Sequence, residues 1–153
     1  MGIKIDILKR GKIVETVRIF LSGGMTGLTF EEQSKWRTDI ISIIKHGYDC
    51  EKKPIFFNPV EYCGFQEIYC KDEREIMEYD LYNLRKSDLV ILNLNAPNSI
   101  GAAMEVMLAK EYRIPVIAFG ANQRIHPWIL ECCNKVCNNL EALVSHVVNL
   151  YLN

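Results

Sequence analysis

A chain of 153 residues is long enough for one domain, residues 1–153, with a hydrophobic core of its own. The 18 Lys and Arg nearly balance the 19 Asp and Glu, which argues against a nucleic-acid footprint or an acidic tail. No apolar run is long enough to span a bilayer, and Met1-Gly2-Ile3-Lys4 leads into alternating residues rather than a basic stub and an apolar run, so a cytoplasmic protein without a secretory leader is expected.

Ile3-Lys4-Ile5-Asp6-Ile7-Leu8 alternates as a half-buried strand does. Lys9 to Lys12 reads as a turn and Ile13 to Leu21 as a second strand, which predicts an N-terminal β-hairpin. The second strand ends in a glycine-rich loop, Ser22 to Gly27. Thr29-Phe30-Glu31-Glu32 is a capping box that opens a helix reaching about His46. Pro54 to Phe57 predicts a short strand, closed by Asn58-Pro59. Residues 72–86 predict a second helix, and Asp88 to Leu94 is a nearly continuous apolar run, as in a strand covered on both faces. Asn98-Ser99 caps a third helix that reaches Tyr112, Ile114 to Phe119 forms the next strand, and a final helix runs from Asn139 to Tyr151.

Strands that alternate with helices predict an α/β fold, a Rossmann-like (flavodoxin-like) parallel sheet flanked by helices. Ligands of such sheets bind beyond the carboxyl ends of the strands. That edge collects Ser22 to Gly27, Asn58-Pro59, Asn93 to Ser99 and Gly120 to Asn122.

Two carboxylates fall where apolar side chains are expected. In the third helix, Glu105 shares a face with Gly101, Ala102, Leu108 and Ala109, whereas Lys110 and Glu111 point elsewhere. In the second, Asp80 shares a face with Ile76, Met77 and Leu84, and its charged neighbours supply the solvated side. An unpaired buried charge is costly, so each acid is either paired with a backbone amide or an arginine, or functional. Gly101-Ala102-Ala103 allows close approach to the third helix, whose amino end, with the Ser99 hydroxyl, attracts anions. Gly23, Gly24 and Gly27 leave backbone amides accessible beside it, but the loop matches neither a P-loop nor a G-x-G-x-x-G fingerprint. Two close carboxylates, one nucleophilic and one able to donate a proton, are the apparatus of retaining glycosyl chemistry.

Six cysteines (Cys50, Cys63, Cys70, Cys132, Cys133 and Cys137) read as reduced thiols packed as small core residues, because no secretory signal is seen and the core is large, and the Cys132-Cys133 and Cys137 spacing lacks the paired C-x-x-C that zinc sites favour. No metal and no cofactor is called for. His46 and His146 read as surface residues, Trp36 and Trp128 as packing anchors, with Trp128 able to line a subunit interface.

Three segments resemble the nucleoside 2-deoxyribosyltransferase family, which includes the 2'-deoxynucleoside 5'-phosphate N-hydrolases. Phe20-Leu21-Ser22-Gly23-Gly24-Met25-Thr26-Gly27 resembles the first-strand substrate loop, and Asp80 to Asp88 the helix of the catalytic aspartate. Ser99-Ile100-Gly101-Ala102-Ala103-Met104-Glu105, followed by Ile114 to Ile117, resembles the nucleophile helix and the next strand. The resemblance implies that Glu105 attacks C1' and that Asp80 protonates or binds the leaving base. It implies substrate contacts at Ser22, Gly23, Gly24, Met25, Asn58, Pro59, Ser99 and Gly101, a nucleoside or nucleotide substrate, and a homodimer or larger homo-oligomer with shared sites, His126 lying near the segment that reaches across. The chain departs from the family at Phe20, where a tyrosine usually holds the nucleophile, a task that Tyr82 is the candidate to take over. Ser99 is the hydrolase-like choice, yet Gly24 and Thr26 stand where those hydrolases use serine and arginine for phosphate.

Overall fold

The computed structural model describes residues 5–7, 13–63 and 72–153. Strand β2 (Ile13–Gly23) is the axis of the sheet. Its first residues pair antiparallel with β1 (Ile5–Ile7), in the register Ile5 to Glu15, which gives the two strands of the expected hairpin; the turn lies outside the described residues. The rest of β2 pairs parallel with β3 (Lys53–Phe57) on one side and β4 (Leu89–Asn93) on the other. Parallel strands β5 (Val116–Phe119) and β6 (Lys135–Cys137) follow, so the parallel order is β3-β2-β4-β5-β6. The chain leaves β2 toward one edge and later returns to build toward the other, which makes the gap between the β2 and β4 carboxyl ends the switch point of the sheet.

Side-chain alternation along β2 assigns each residue to a layer. Val17, Ile19 and Leu21 face helices α1 (Phe30–Gly47) and α6 (Leu140–Val147), with Ile40, Ile44, Leu143 and Val147 in the same cluster. Phe20 faces the other way, toward α3 (Glu73–Arg85) and α4 (Ile100–Glu111), where it joins Leu84, Val106 and Ala109. The same parity sends Ser22 to the α3–α4 side and Gly23 to the α1 side. All five residues of β4 are buried, as its apolar run requires.

The helix starts match the sequence signals. Thr29 and Glu32 form both halves of the capping box of α1, Asp72 caps α3 by accepting from Glu75 N–H, and Ser99 caps α4 by accepting from Ala102 N–H. Strand β5 begins at Val116 rather than Ile114, because the Ile114 N–H is taken by the Ala109 carbonyl (2.8 Å) in closing α4. The last helix is α-helical to Val147 and continues as a π-helical turn, Val148–Leu152. Three elements are absent from the sequence reading: α2 (Pro59–Cys63), α5 (Pro127–Glu131) and β6. Each has at most five residues, too few to display a period. Trp36 packs edge-on against Phe119 as an anchor should, but Trp128 is 79% exposed and anchors nothing in the described core.

Gly24 lies where the β2 exit presses against the loop after β4. A Cβ there would come within 2.5 Å of the Ala96 Cβ and 3.3 Å of the Ala96 carbonyl. Gly24→Ala is expected to destabilise the protein by about 1–3 kcal/mol, the range for overpacking a close contact. A chemical denaturation midpoint that does not fall would show that the two loops separate freely.

Candidate active site

Three helices each bring one ionisable side chain to the β2 exit. Helix α3 delivers Asp80, 5% exposed among Asn83 and Leu84. Met77, expected on that inward face, is instead 42% exposed at the rim. Helix α4 delivers Glu105, half-buried beside the inward-facing Ala102, Val106 and Ala109. Helix α1 delivers Arg37, which is 0% exposed.

The Ser22 hydroxyl donates a short hydrogen bond to a Glu105 carboxylate oxygen, tying β2 to α4 across the switch point. It supplies the hydroxyl that Phe20 lacks: Phe20 is fully buried and stacked on Phe57 with ring centroids 5.2 Å apart. Tyr82 does not take that part, since its ring is half-exposed on α3 and its hydroxyl meets the Lys86 ammonium. The Asp80 Oδ1 is buried and has no hydrogen-bond partner among the described residues. An unsatisfied acceptor of this kind is rare in a folded protein and is usually explained by a ligand, a proton or a water.

Burial pushes the Asp80 carboxyl up to about 6, with the Arg37 charge opposing. Burial likewise pushes Glu105 up to about 7; the Ser22 hydroxyl opposes this, the Asp80 charge adds to it, and Arg37 opposes it. One guanidinium offsets one carboxylate charge, so the second carboxyl is best accommodated as the neutral acid. With the Ser22 hydrogen bond counted, Glu105 still lies above Asp80, so the two acids form a coupled pair in which that hydroxyl lowers Glu105 and raises the share of the state with Glu105 ionised.

Both acids line a cavity of about 230 Å³, together with Gly23, Met25, Ser99 and Gly101 among the residues singled out from sequence. Thr26, noted in the sequence as a departure from the family, also lines it, as do Glu73 and Met104, which were not expected there. Ser22 is buried behind it, bonded to Glu105. Gly24 opens instead onto a second cavity on the α1 side, about 490 Å³, beside Trp36 and Asn95. That cavity is larger, but its charged groups serve the helix surface: Lys35 pairs with Asp39 at 2.6 Å, and Glu32 closes the capping box. The smaller cavity holds the perturbed acids, and we take it as the site.

Asn58, Pro59 and His126 lie outside the lining of the carboxylate cavity. Asn58 is buried at the start of α2, where its Oδ1 accepts from Val60 N–H (3.2 Å). Pro59 is the first residue of α2. His126 is exposed and caps α5, its Nδ1 accepting from Trp128 N–H (3.2 Å). Cys50, Cys132, Cys133 and Cys137 are free thiols, and Cys133 bonds to the Ile129 carbonyl; Cys70 lies outside the described residues. No described helix is long and apolar enough to cross a membrane.

The geometry defines an α/β protein with a paired carboxyl site at the switch point of its sheet. No family model and no curated protein matches the chain. Solved structures share its fold. The 2-deoxyribosyltransferase of Bacillus psychrosaccharolyticus is 15% identical with a TM-score of 0.63, covering 87% of this chain and 91% of its own. The CMP N-glycosidase of Clostridium botulinum is 16% identical with a TM-score of 0.52, over 88% of this chain and 99% of its own. DNA processing protein A of Helicobacter pylori, a single-stranded DNA binder, is 14% identical with a TM-score of 0.54, over 94% and 89%. The chain thus has the fold of nucleoside 2-deoxyribosyltransferases and of an N-glycosidase. At these identities the likeness speaks to the fold alone, since the same frame also serves a DNA-binding protein.

The raised acid gives a stability test that needs no substrate. A carboxyl whose folded value lies above its ordinary 3.8, at about 6, holds its proton in the native state where the unfolded chain has lost it. The native state is therefore favoured below that window and loses this advantage as pH rises through about 6. Asp80→Asn removes the penalty and is expected to stabilise the protein by about 2 kcal/mol at pH 8, with no gain below pH 4. Thermal denaturation at the two pH values measures the difference, and an equal shift at both would remove Asp80 from the perturbed pair.

Proposed function

We propose that the protein is an N-glycosidic enzyme that moves 2-deoxyribose between nucleobases. The observation that carries this reading is the pairing of a hydroxyl-held carboxylate, Glu105, with a buried acid, Asp80, whose Oδ1 lacks a partner among the described residues, in one cavity. In the one-proton state Glu105 attacks C1' of a 2'-deoxyribonucleoside as the C1'–N bond breaks, and Asp80 gives its proton to the departing base. The product is a deoxyribosyl ester on Glu105 and an ionised Asp80. A second base then attacks C1' through a ring nitrogen, its N–H proton passes to Asp80, and Glu105 leaves as carboxylate. Each turnover returns the site to its starting charge. Ser22 holds Glu105 in line and stabilises its ionised form.

The remaining residues take roles in substrate binding. Met25, Met77, Leu81 and Met104 supply apolar wall for a flat base, and Gly23 and Gly101 allow the sugar to approach. Asn58, Pro59 and His126 would join them only from outside the cavity's present lining. Met104 and Met77, each more than two-fifths exposed at the rim, with Ile100 at 77%, are apolar surface that a second copy of the chain would cover, completing a shared site. The fold neighbours support this reading as enzymes that act on N-glycosidic bonds. One observation favours a second acceptor. Ser99 lines the cavity at the amino end of α4, a position suited to a 5'-phosphate, and with water in place of the second base the same steps become hydrolysis of a deoxynucleoside 5'-monophosphate.

Incubation with deoxyribonucleosides or their 5'-monophosphates, with and without a second free base, separates the two by chromatography. A new nucleoside is the expected product; free base from a monophosphate alone would assign the hydrolase, and no product with ligand-induced thermal stabilisation would assign a binding module. Glu105→Ala is expected to abolish turnover and leave the fold intact, and an active variant would end the nucleophile assignment. Because the one-proton state is the reactive one, kcat/KM should be bell-shaped with limbs near the paired values of about 6 and about 7. A rate that stays flat from pH 5 to 8 excludes that state as the active form.

A further inference from the structure

Arg37 reaches the site from α1, the opposite layer of the sheet from α3 and α4. Its guanidinium donates to three main-chain carbonyls: Nε–H to Leu21 (3.4 Å), Nη2 to Gly23 (3.1 Å) and Nη1 to Gln33 through a short bond. Leu21 and Gly23 flank Ser22, so two of the three bonds grip the β2 exit on either side of the residue that holds Glu105. The Trp36 ring, with its centroid 4.4 Å from the Arg37 Cζ, covers the guanidinium. Gly23 makes this approach feasible: a Cβ there would lie 2.9 Å from Trp36 Cζ2 and 3.4 Å from Arg37 Nη2. Gln33 braces the next stretch, its amide donating to the Met25 and Leu28 carbonyls at 2.9 Å. Among the described residues Arg37 forms no ion pair within 4 Å, although its charge acts on both Glu105 and Asp80.

We propose that Arg37 is the positioning residue of this site, clamping the β2 exit so that Ser22 meets Glu105 and lending its charge to the two acids without occupying an oxygen of either. The proposal rests on the reading of Glu105 and Asp80 as the reactive pair. A salt-bridged arginine would neutralise the nucleophile and block its attack, whereas a guanidinium bound to carbonyls acts only through its field. The titratable groups that face Glu105 are Asp80 from α3 and Arg37 from α1, with Ser22 from β2 as donor; Glu73 of α3 lines the same cavity.

Two variants divide the clamp from the charge. Arg37→Gln removes the charge, and Arg37→Lys keeps it but cannot span three carbonyls. Side-chain carboxyl titration by carbon-13 NMR, with Glu105→Gln and Asp80→Asn as assignments, reads the charge whether or not any substrate is turned over. In Arg37→Gln both acids should titrate about one unit higher than in the unaltered protein, and the acid limb of kcat/KM should move alkaline with them. In Arg37→Lys the titrations should stay within about half a unit while kcat falls at least about tenfold at little-changed KM. A folded Arg37→Gln with unmoved titrations overturns the charge role. If Arg37→Gln does not fold, Arg37→Lys decides: full kcat overturns the clamp, and a titration shift as large as a unit overturns the charge. If no nucleoside or nucleotide is turned over by the unaltered protein, the function reading has failed, and the NMR arm still tests Arg37.

Discussion

One buried guanidinium faces a buried and a half-buried carboxyl at the end of β2, and much of the site follows from that imbalance. Ion pairs taken out of water are tolerated when charge and hydrogen bonds are both satisfied. Here the hydrogen bonds of Arg37 are satisfied by carbonyls and its charge suffices for one carboxylate. A proton on the pair removes the excess charge. The raised values of Asp80 and Glu105 come first from burial, to which the Asp80 charge adds at Glu105 while Arg37 opposes both, and the result prepares one acid and one base from two similar groups.

The fold makes this cluster possible by parity. Residues 20 and 22 of β2 face α3 and α4, residues 21 and 23 face α1, and the sheet ends at Gly23. A side chain at position 23 would close the gap through which Arg37 and Trp36 approach the strand end. Glycine 23 is therefore required for side-chain packing, and glycine 24 for the contact with Ala96. Neither residue has a positive φ; among the described glycines only Gly27 and Gly120 do. The glycine-rich loop resembles a phosphate cradle in composition, but its first two glycines serve close packing between layers.

Most of the frame was legible in the sequence, for physical reasons that differ by element. The capping box at Thr29 and the buried run of β4 are local signals, and both elements formed where they predict. Strand β6 was hidden because Lys135-Val136-Cys137 is short and two of its three residues are exposed, so it has neither period nor apolar run. Asn58 and His126 stand at helix starts, where a short polar side chain or an imidazole can be needed simply to satisfy an amide. Sequence proximity to a strand end cannot tell such a cap from a ligand contact.

Arg37 is the instructive omission, because the rule that found Glu105 and Asp80 also finds it. The buried residues of α1 are Gln33, Arg37, Ile40 and Ile44, spaced four, three and four apart along one face. Two polar residues at the amino end of an otherwise apolar stripe are as anomalous as a carboxylate among alanines. Arginine escapes notice because its long side chain is usually assumed to snorkel to solvent, and α1 carries charges on every other face. The stripe fixes the direction of that side chain more firmly than its chemistry suggests. Read for all three helices at once, inward-facing ionisable residues give one cation and two acids converging on one strand end, and the sign of the imbalance indicates which class of group, a proton or a hydrogen-bond donor on a ligand, completes the site.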